Sequence, residues 1–219
     1  MKKFLVIASL LLASYSLYAL DQVEKAKKSD DIVVIETDFG EIQFGLFRDA
    51  APENVDSIVK LVRKDFYNGT TFHRVVPDFV IQGGDPNSKD KNPSNDGYGG
   101  PGYYVKDEYS KDLKHLTGTV ALAKAADDQN GSQFYICLKN LNFLDGKYTI
   151  VGQVIKGMDV VEKIAKVKTD KRNDRPIENV VMKKVYMKEK AAEEKEIKKP
   201  SGGCGCGSGK SKEETKTEK

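Results

Sequence analysis

The sequence predicts a mainly β domain, either closed as an antiparallel barrel or stacked as a sandwich, with two helices. Three observations lead there. Short β-branched or alternating runs recur along the chain, only two stretches carry helical spacing, and the two kinds do not alternate regularly. The last point argues against a parallel doubly wound sheet. Closure also removes the exposed edges that a sheet of many strands would otherwise present.

The elements follow in order. Ile32–Thr37 is a β-branched run, and Glu41–Phe47 alternates polar and apolar residues. Asp38-Phe39-Gly40 lies between them with a turn glycine, so the pair reads as a hairpin. Pro52 suits the first turn of a helix and Glu53 its positive end. Val55, Ile58, Val59, Val62 and Phe66 then form one apolar stripe, and Asn68-Gly69 is expected to stop that helix. Two short strands follow, Thr71–Val75 and Phe79–Gln82. From Asp85 to Gly102 the chain is rich in Gly, Pro, Asn and Asp, which is loop chemistry. Strand-like runs resume at Thr119–Ala123, Gln133–Leu138 and Tyr148–Val154. A second short helix spans Asp159–Val167, and Val180–Met187 is the last strand. Cys137 falls in a strand pattern and reads as a buried apolar residue.

The ends read differently. Lys2 and Lys3 precede the apolar run Phe4–Ala13, and Ala19 closes a small-residue site. Positive flank, short apolar stretch and small residue read as a secretory signal peptide over residues 1–19. The run is shorter than the ~20 residues that span a bilayer, so cleavage is expected, with no stable membrane insertion afterwards. The Lys-Lys start is bacterial in style, which implies a periplasmic or secreted protein. Residues 20–30 are polar and read as a loose lead-in. The globular domain is placed at 31–187. Residues 188–219 hold nine Lys and seven Glu around a Gly-rich centre and read as a flexible charged tail. Its Cys204-Gly-Cys206 offers two soft ligands for Cu(I) or Zn, but two thiolates do not fill a tetrahedral shell, so a plain tail is preferred.

Composition removes several functions. Of 219 residues, 36 are Lys or Arg and 33 Asp or Glu, a net charge of +3 that gives no global attraction to nucleic acid. Three cysteines cannot staple a scaffold of this size. Ser132 in Asn-Gly-Ser-Gln-Phe lacks the second glycine of a hydrolase elbow. No His-x-x-x-His or Cys-x-x-Cys pair occurs, so no metal site is expected. Gly97–Gly102 has no following Lys-Ser/Thr and makes a poor phosphate cradle. His73 has no identifiable carboxylate to orient it and reads as a structural imidazole.

Three segments carry a specific signal: Phe72-His-Arg-Val-Val-Pro-Asp-Phe-Val-Ile-Gln-Gly-Gly-Asp-Pro86, Asn130-Gly-Ser-Gln-Phe-Tyr-Ile136 and Phe143-Leu-Asp-Gly-Lys-Tyr-Thr-Ile-Val-Gly-Gln-Val154. In this order and spacing they resemble the cyclophilin family of peptidyl-prolyl cis-trans isomerases, over about Ile32 to Met187. The resemblance implies a closed eight-stranded antiparallel β-barrel capped by two α-helices, with the site on its outer face. It implies rotation about Xaa-Pro bonds without cofactor or metal. The implied partners are proline-containing polypeptides, here exported proteins during folding, and the implied state is a monomer. Position by position, Arg74 matches the family's catalytic arginine. Gln82 matches the glutamine that orients it and contacts substrate backbone. Phe79, Val80, Tyr135 and Leu144 match the proline pocket. Ala123 and Gln133 match the peptide groove, Lys124 a backbone contact, and Phe143 and Tyr148 the pocket rim.

The pattern is not followed everywhere. Val80 stands where the family commonly has Met, Tyr135 where Phe is usual, Phe143 in place of a frequent Trp, and Tyr148 in place of a common His. Asp78 occupies a turn position usually held by Gly. Loss of the Trp indole donor implies weak inhibition by cyclosporin. The competing function class is a binding module that holds proline segments with little turnover; Arg74 and Gln82 favour the enzyme.

Overall fold

The structure is a computed structural model that describes residues 18–124 and 129–188. The apolar leader through residue 17, the tail beyond 188 with Cys204 and Cys206, and residues 125–128 lie outside the described residues.

Among the described residues there are eleven strands and three α-helices. The first hairpin forms as its sequence dictates: β1 (Ile32–Thr37) pairs with β2 (Gly40–Leu46), with Val33 opposite Phe44 and Ile35 opposite Ile42. Gly40 takes a φ of 128°, a region that a side chain resists. Helix α2 (Pro52–Arg63) buries Val55, Ile58, Val59 and Val62 of the predicted stripe, while Phe66 lies beyond its end and packs partly buried against the same core. It ends earlier than Asn68-Gly69: Arg63 is its last residue, and Asp65 turns the chain at a left-handed φ of 54°. Asn68 serves another purpose, its Oδ1 accepting from the Val185 amide at 2.7 Å.

The sheet is one antiparallel path ordered β11-β1-β2-β8-β6-β7-β4-β3. The strands named here are β3 (Arg74–Val76), β4 (Val80–Gly83), β6 (Thr119–Lys124), β7 (Gln129–Cys137), β8 (Ile150–Lys156) and β11 (Lys184–Met187). Closure was expected and is not what the ladders give. The end strands β3 and β11 do not pair, and the barrel is open. The seam is spanned by irregular chain. Gly69 and Phe72 donate to the Met182 and Val180 carbonyls at 2.8 and 2.9 Å, and a single bridge joins Thr71 to Val181. The runs expected as whole strands at Thr71–Val75 and Val180–Met187 are regular only in their second halves. Their first halves make this seam.

Three elements escaped the sequence reading because each is only two residues long: β5 (Val105–Lys106), which pairs with β7, and the small hairpin β9 (Thr169–Asp170) with β10 (Arg175–Pro176). A further correction concerns the lead-in. Residues 18–27 form a helix, α1, so the helices number three. Its Gln22 is buried and donates to the Lys114 carbonyl and to Gln153 Oε1, both at 3.0 Å, while its own Oε1 accepts from the Lys114 amide at 3.1 Å. Ala26 is fully buried, and Gly45 lets it approach: a Cβ at Gly45 would lie 2.0 Å from the Ala26 carbonyl oxygen. The second predicted helix is α3 (Met158–Ile164).

The two faces of the sheet bury two different cores. Ile81, Val120, Leu122, Phe134 and Ile136 point inward with the apolar sides of α2 and α3. The residues between them, Val80, Ala121, Tyr135 and Cys137, point outward into a second cluster with Leu113, Leu141 and Leu144. This is the period-2 alternation of strands. Cys137 is buried as expected, and burial pushes its thiol pKa up to about 12, which leaves it protonated and inert.

Candidate active site

The outward faces of four strands assemble one row. Arg74 of β3 is opposite Gln82 of β4, Gln82 is opposite Tyr135 of β7, and Tyr135 is opposite Ala121 of β6. Residues two apart on a strand share a face, so Val80, Ala123 and Gln133 flank that row. Asp78 makes the tight turn between β3 and β4 with a left-handed φ of 57°, as its place in the motif requires. A cavity of about 220 Å³ opens over the row.

Nine of the eleven residues singled out from sequence line it: Arg74, Phe79, Val80, Gln82, Ala123, Lys124, Tyr135, Leu144 and Tyr148. The other two lie at its margins. Phe143 is 61% exposed and stacks on Phe79 with 6.2 Å between ring centroids. Gln133 lines the adjoining cavity with Gly97, Gly99 and Ala123. Val80 and Leu144, which also suit an ordinary core, are buried at the base of the cavity. His73, by contrast, lies in a separate cavity on the far side of Arg74, and burial lowers its pKa.

Polar groups at the lip are held by one another. Arg74 Nη1 donates to Gln82 Oε1 over a long 3.5 Å, and Nε lies 3.8 Å from Asp174 Oδ2. The guanidinium therefore keeps donors for an incoming group. Gln82 Nε2 donates to Gln133 Oε1 at 3.1 Å, and Gln133 Nε2 donates to the Gly97 and Gly99 carbonyls, each at 2.9 Å. Two amides thus connect the arginine to the loop around Gly97. Lys124 pairs with Asp107 at 3.0 Å and lies over the Tyr148 ring at 5.6 Å. Burial opposes the charge on Asp107, but hydrogen bonds from Tyr109, Lys124 and Asn130 outweigh it and lower its pKa.

Comparison with known proteins identifies the family. The family model for cyclophilin type peptidyl-prolyl cis-trans isomerases matches residues 32–187. The chain is a cyclophilin. Human peptidyl-prolyl cis-trans isomerase-like 1 is 40% identical to this cyclophilin over 158 residues, 70% of this chain and 90% of the human one. A peptidyl-prolyl cis-trans isomerase of Schizosaccharomyces pombe is 39% identical over 150 residues, 67% of this chain and 92% of its own. A crystal structure of a Cryptosporidium parvum cyclophilin type isomerase, determined in the presence of the dipeptide Ala-Pro, superposes with a TM-score of 0.66 at 31% identity. It covers 73% of this chain and 99% of that one. The cyclophilin described here is accordingly a peptidyl-prolyl cis-trans isomerase.

Sequence reasoning missed the residues behind the cavity wall. His115 and Asp145 lie outside the motif positions carried over, and Asp174 sits in the unforeseen β9–β10 hairpin. No periodicity marks them. Tyr135 gave the one usable signal, because a buried phenol needs a partner. It has one: the hydroxyl lies 3.1 Å from His115 Nε2.

Proposed function

We propose that the 220 Å³ cavity seats the proline ring of a polypeptide and that Arg74 drives the rotation. A peptide bond resists rotation by about 18–20 kcal/mol because its C–N bond has double-bond character. Xaa-Pro bonds populate both isomers but exchange over roughly tens to hundreds of seconds. In the twisted state the imide nitrogen becomes pyramidal and regains a lone pair that can accept a hydrogen bond. A donor aimed there favours the twisted state over both planar ones, which is what accelerates the step. An arginine donates without losing its proton at any physiological pH.

The observation that carries this reading is the cross-strand row: Arg74 and Gln82 stand in register with Tyr135, so the guanidinium lies at the lip of an apolar cavity. Val80, Phe79, Tyr135 and Leu144 grip the ring, Gln82 and Gln133 hold backbone on one side, and the other side turns. The reaction needs neither cofactor nor metal. The test is acceleration of Xaa-Pro isomerisation by purified residues 20–219 in chelated buffer. A rate equal to the uncatalysed one would refute the reading.

The clients we propose are exported proteins during folding, which places the enzyme in the periplasm or outside the cell. The support is the leader-like residues 1–19. Fractionation of cells expressing the full chain should recover the shortened protein outside the cytoplasm; full-length protein in the cytoplasm would overturn the proposal.

Phe143 sets a further expectation. Its exposed ring at the rim has no hydrogen-bond donor, so cyclosporin should inhibit weakly. Phe143→Trp should tighten inhibition about fivefold, the value of one added hydrogen bond. Tight inhibition of the unmodified enzyme in a titration would defeat this argument.

A further inference from the structure

His115 has no exposed surface, so it cannot touch a substrate, yet it holds two walls of the cavity. Its amide and its ring Nδ1 both reach Asp145 Oδ1, at 2.8 and 2.9 Å. Its carbonyl accepts from the Leu141 amide at 2.7 Å. Its Nε2 meets the Tyr135 hydroxyl at 3.1 Å, and the two rings stack at 6.2 Å. Leu141 and Asp145 bracket the short 3-10 turn Asn142–Leu144, which carries Phe143 and Leu144. Tyr135 is the floor.

The proton positions follow from the partners. A carboxylate only accepts, so Nδ1 carries the hydrogen and donates to Asp145. In a neutral ring Nε2 is then the acceptor, and Tyr135 donates to it. Burial pushes the Tyr135 pKa up, so the hydroxyl keeps its proton. Burial also lowers the pKa of His115, against the opposing pull of Asp145. Lys114, whose Nζ lies 3.9 Å from Asp145 Oδ2, works in the same direction as burial. Among the described residues, the other titratable groups facing this cluster are Tyr148, edge-on with 6.5 Å between the ring centroids, and the protonated thiol of Cys137.

We infer that His115 is a positioning residue for the proline pocket: as the neutral Nδ1–H tautomer it ties the floor at Tyr135 to the rim at Asn142–Asp145. Floor and rim come from chain segments joined by no ladder, so this buried relay fixes the distance between the faces that grip the ring. The inference rests on the reading that this cavity holds proline. Because the relay acts on binding and leaves Arg74 untouched, its loss should fall on KM and spare kcat.

The experiment has a spectroscopic arm and a kinetic arm. Only two histidines occur in the chain, so ¹⁵N correlation spectra of the full protein show just two imidazoles. His115 should appear as the Nδ1–H tautomer, and Tyr135→Phe should shift its Nε2 resonance. An Nε2–H tautomer, or an Nε2 signal indifferent to Tyr135→Phe, overturns the relay whatever the activity. On the kinetic arm, KM for an Xaa-Pro peptide should stay flat from pH 8 through the ordinary imidazole range. It should rise only where the His115 resonances titrate. His115→Phe should raise KM roughly tenfold with kcat within about twofold. His115→Asn, which keeps a donor for Asp145 but loses the acceptor for Tyr135, should recover only part of that loss. A folded His115→Phe with unchanged KM, an Asn variant no better than Phe, or titration of His115 without a change in KM would each overturn the proposal. If His115→Phe fails to fold, the tautomer and the pH dependence of the parent decide alone.

Discussion

Arg74→Ala should lower kcat/KM for Xaa-Pro isomerisation by about 10²–10³-fold, the usual cost of removing one donor aimed at a transition state. The fold should survive. The Arg74 side chain is 39% exposed, and its side-chain partners among the described residues are the long contact to Gln82 and the distant Asp174 carboxylate. The loss should appear in kcat as well as in kcat/KM, because the donor is used in the twisted state and not in the planar ones. Rates equal to those of the parent, in a variant shown by circular dichroism to be folded, would remove Arg74 from the mechanism.

Gln22→Ala should destabilise the domain by about 2–4 kcal/mol, since it leaves the part-buried Lys114 amide without its acceptor and takes a donor from the buried Gln153. For a domain of this size that corresponds to a fall in Tm of about 5–15 °C. Turnover at low temperature should persist, because Gln22 lies outside the cavity. A melting point within a degree of the parent would mean that the Gln22 hydrogen bonds contribute nothing to the domain. A leader cut after Ala19 would leave only Leu20 and Asp21 ahead of Gln22.

Much of the site was legible because it lies in motifs and strand geometry is periodic. The resemblance of three segments to the cyclophilins supplied the positions, and alternation then sets Val80 and Gln82, Ala121 and Ala123, and Gln133 and Tyr135 on one face of their strands. The illegible parts had no period to read. A two-residue strand such as β5 has no alternation. Helix α1 is polar on most of its surface and docks through Gln22 and Ala26, one amide and one methyl, which no hydrophobic pattern reports. His115 and Asp145 are 30 residues apart and meet only through the fold. The open seam was missed for another reason. The runs from Thr71 and Val180 have strand composition, but they meet through isolated bonds, and composition does not distinguish a ladder from a seam.

The pairing of β1 with β11 sets Val33 beside Met187, so the first strand of the sheet waits for the last. Such a high contact order makes for slow folding, since the loop must be closed before the pairing rewards it. During vectorial synthesis the amino-terminal strand is finished long before its neighbour exists. Val33, Val34 and Ile35, all buried in the finished domain, would meanwhile form an unguarded β-branched edge, the kind that recruits other chains. A polypeptide stopped short of Lys184 keeps that edge permanently, and aggregation, more than loss of catalysis, is the defect it would show.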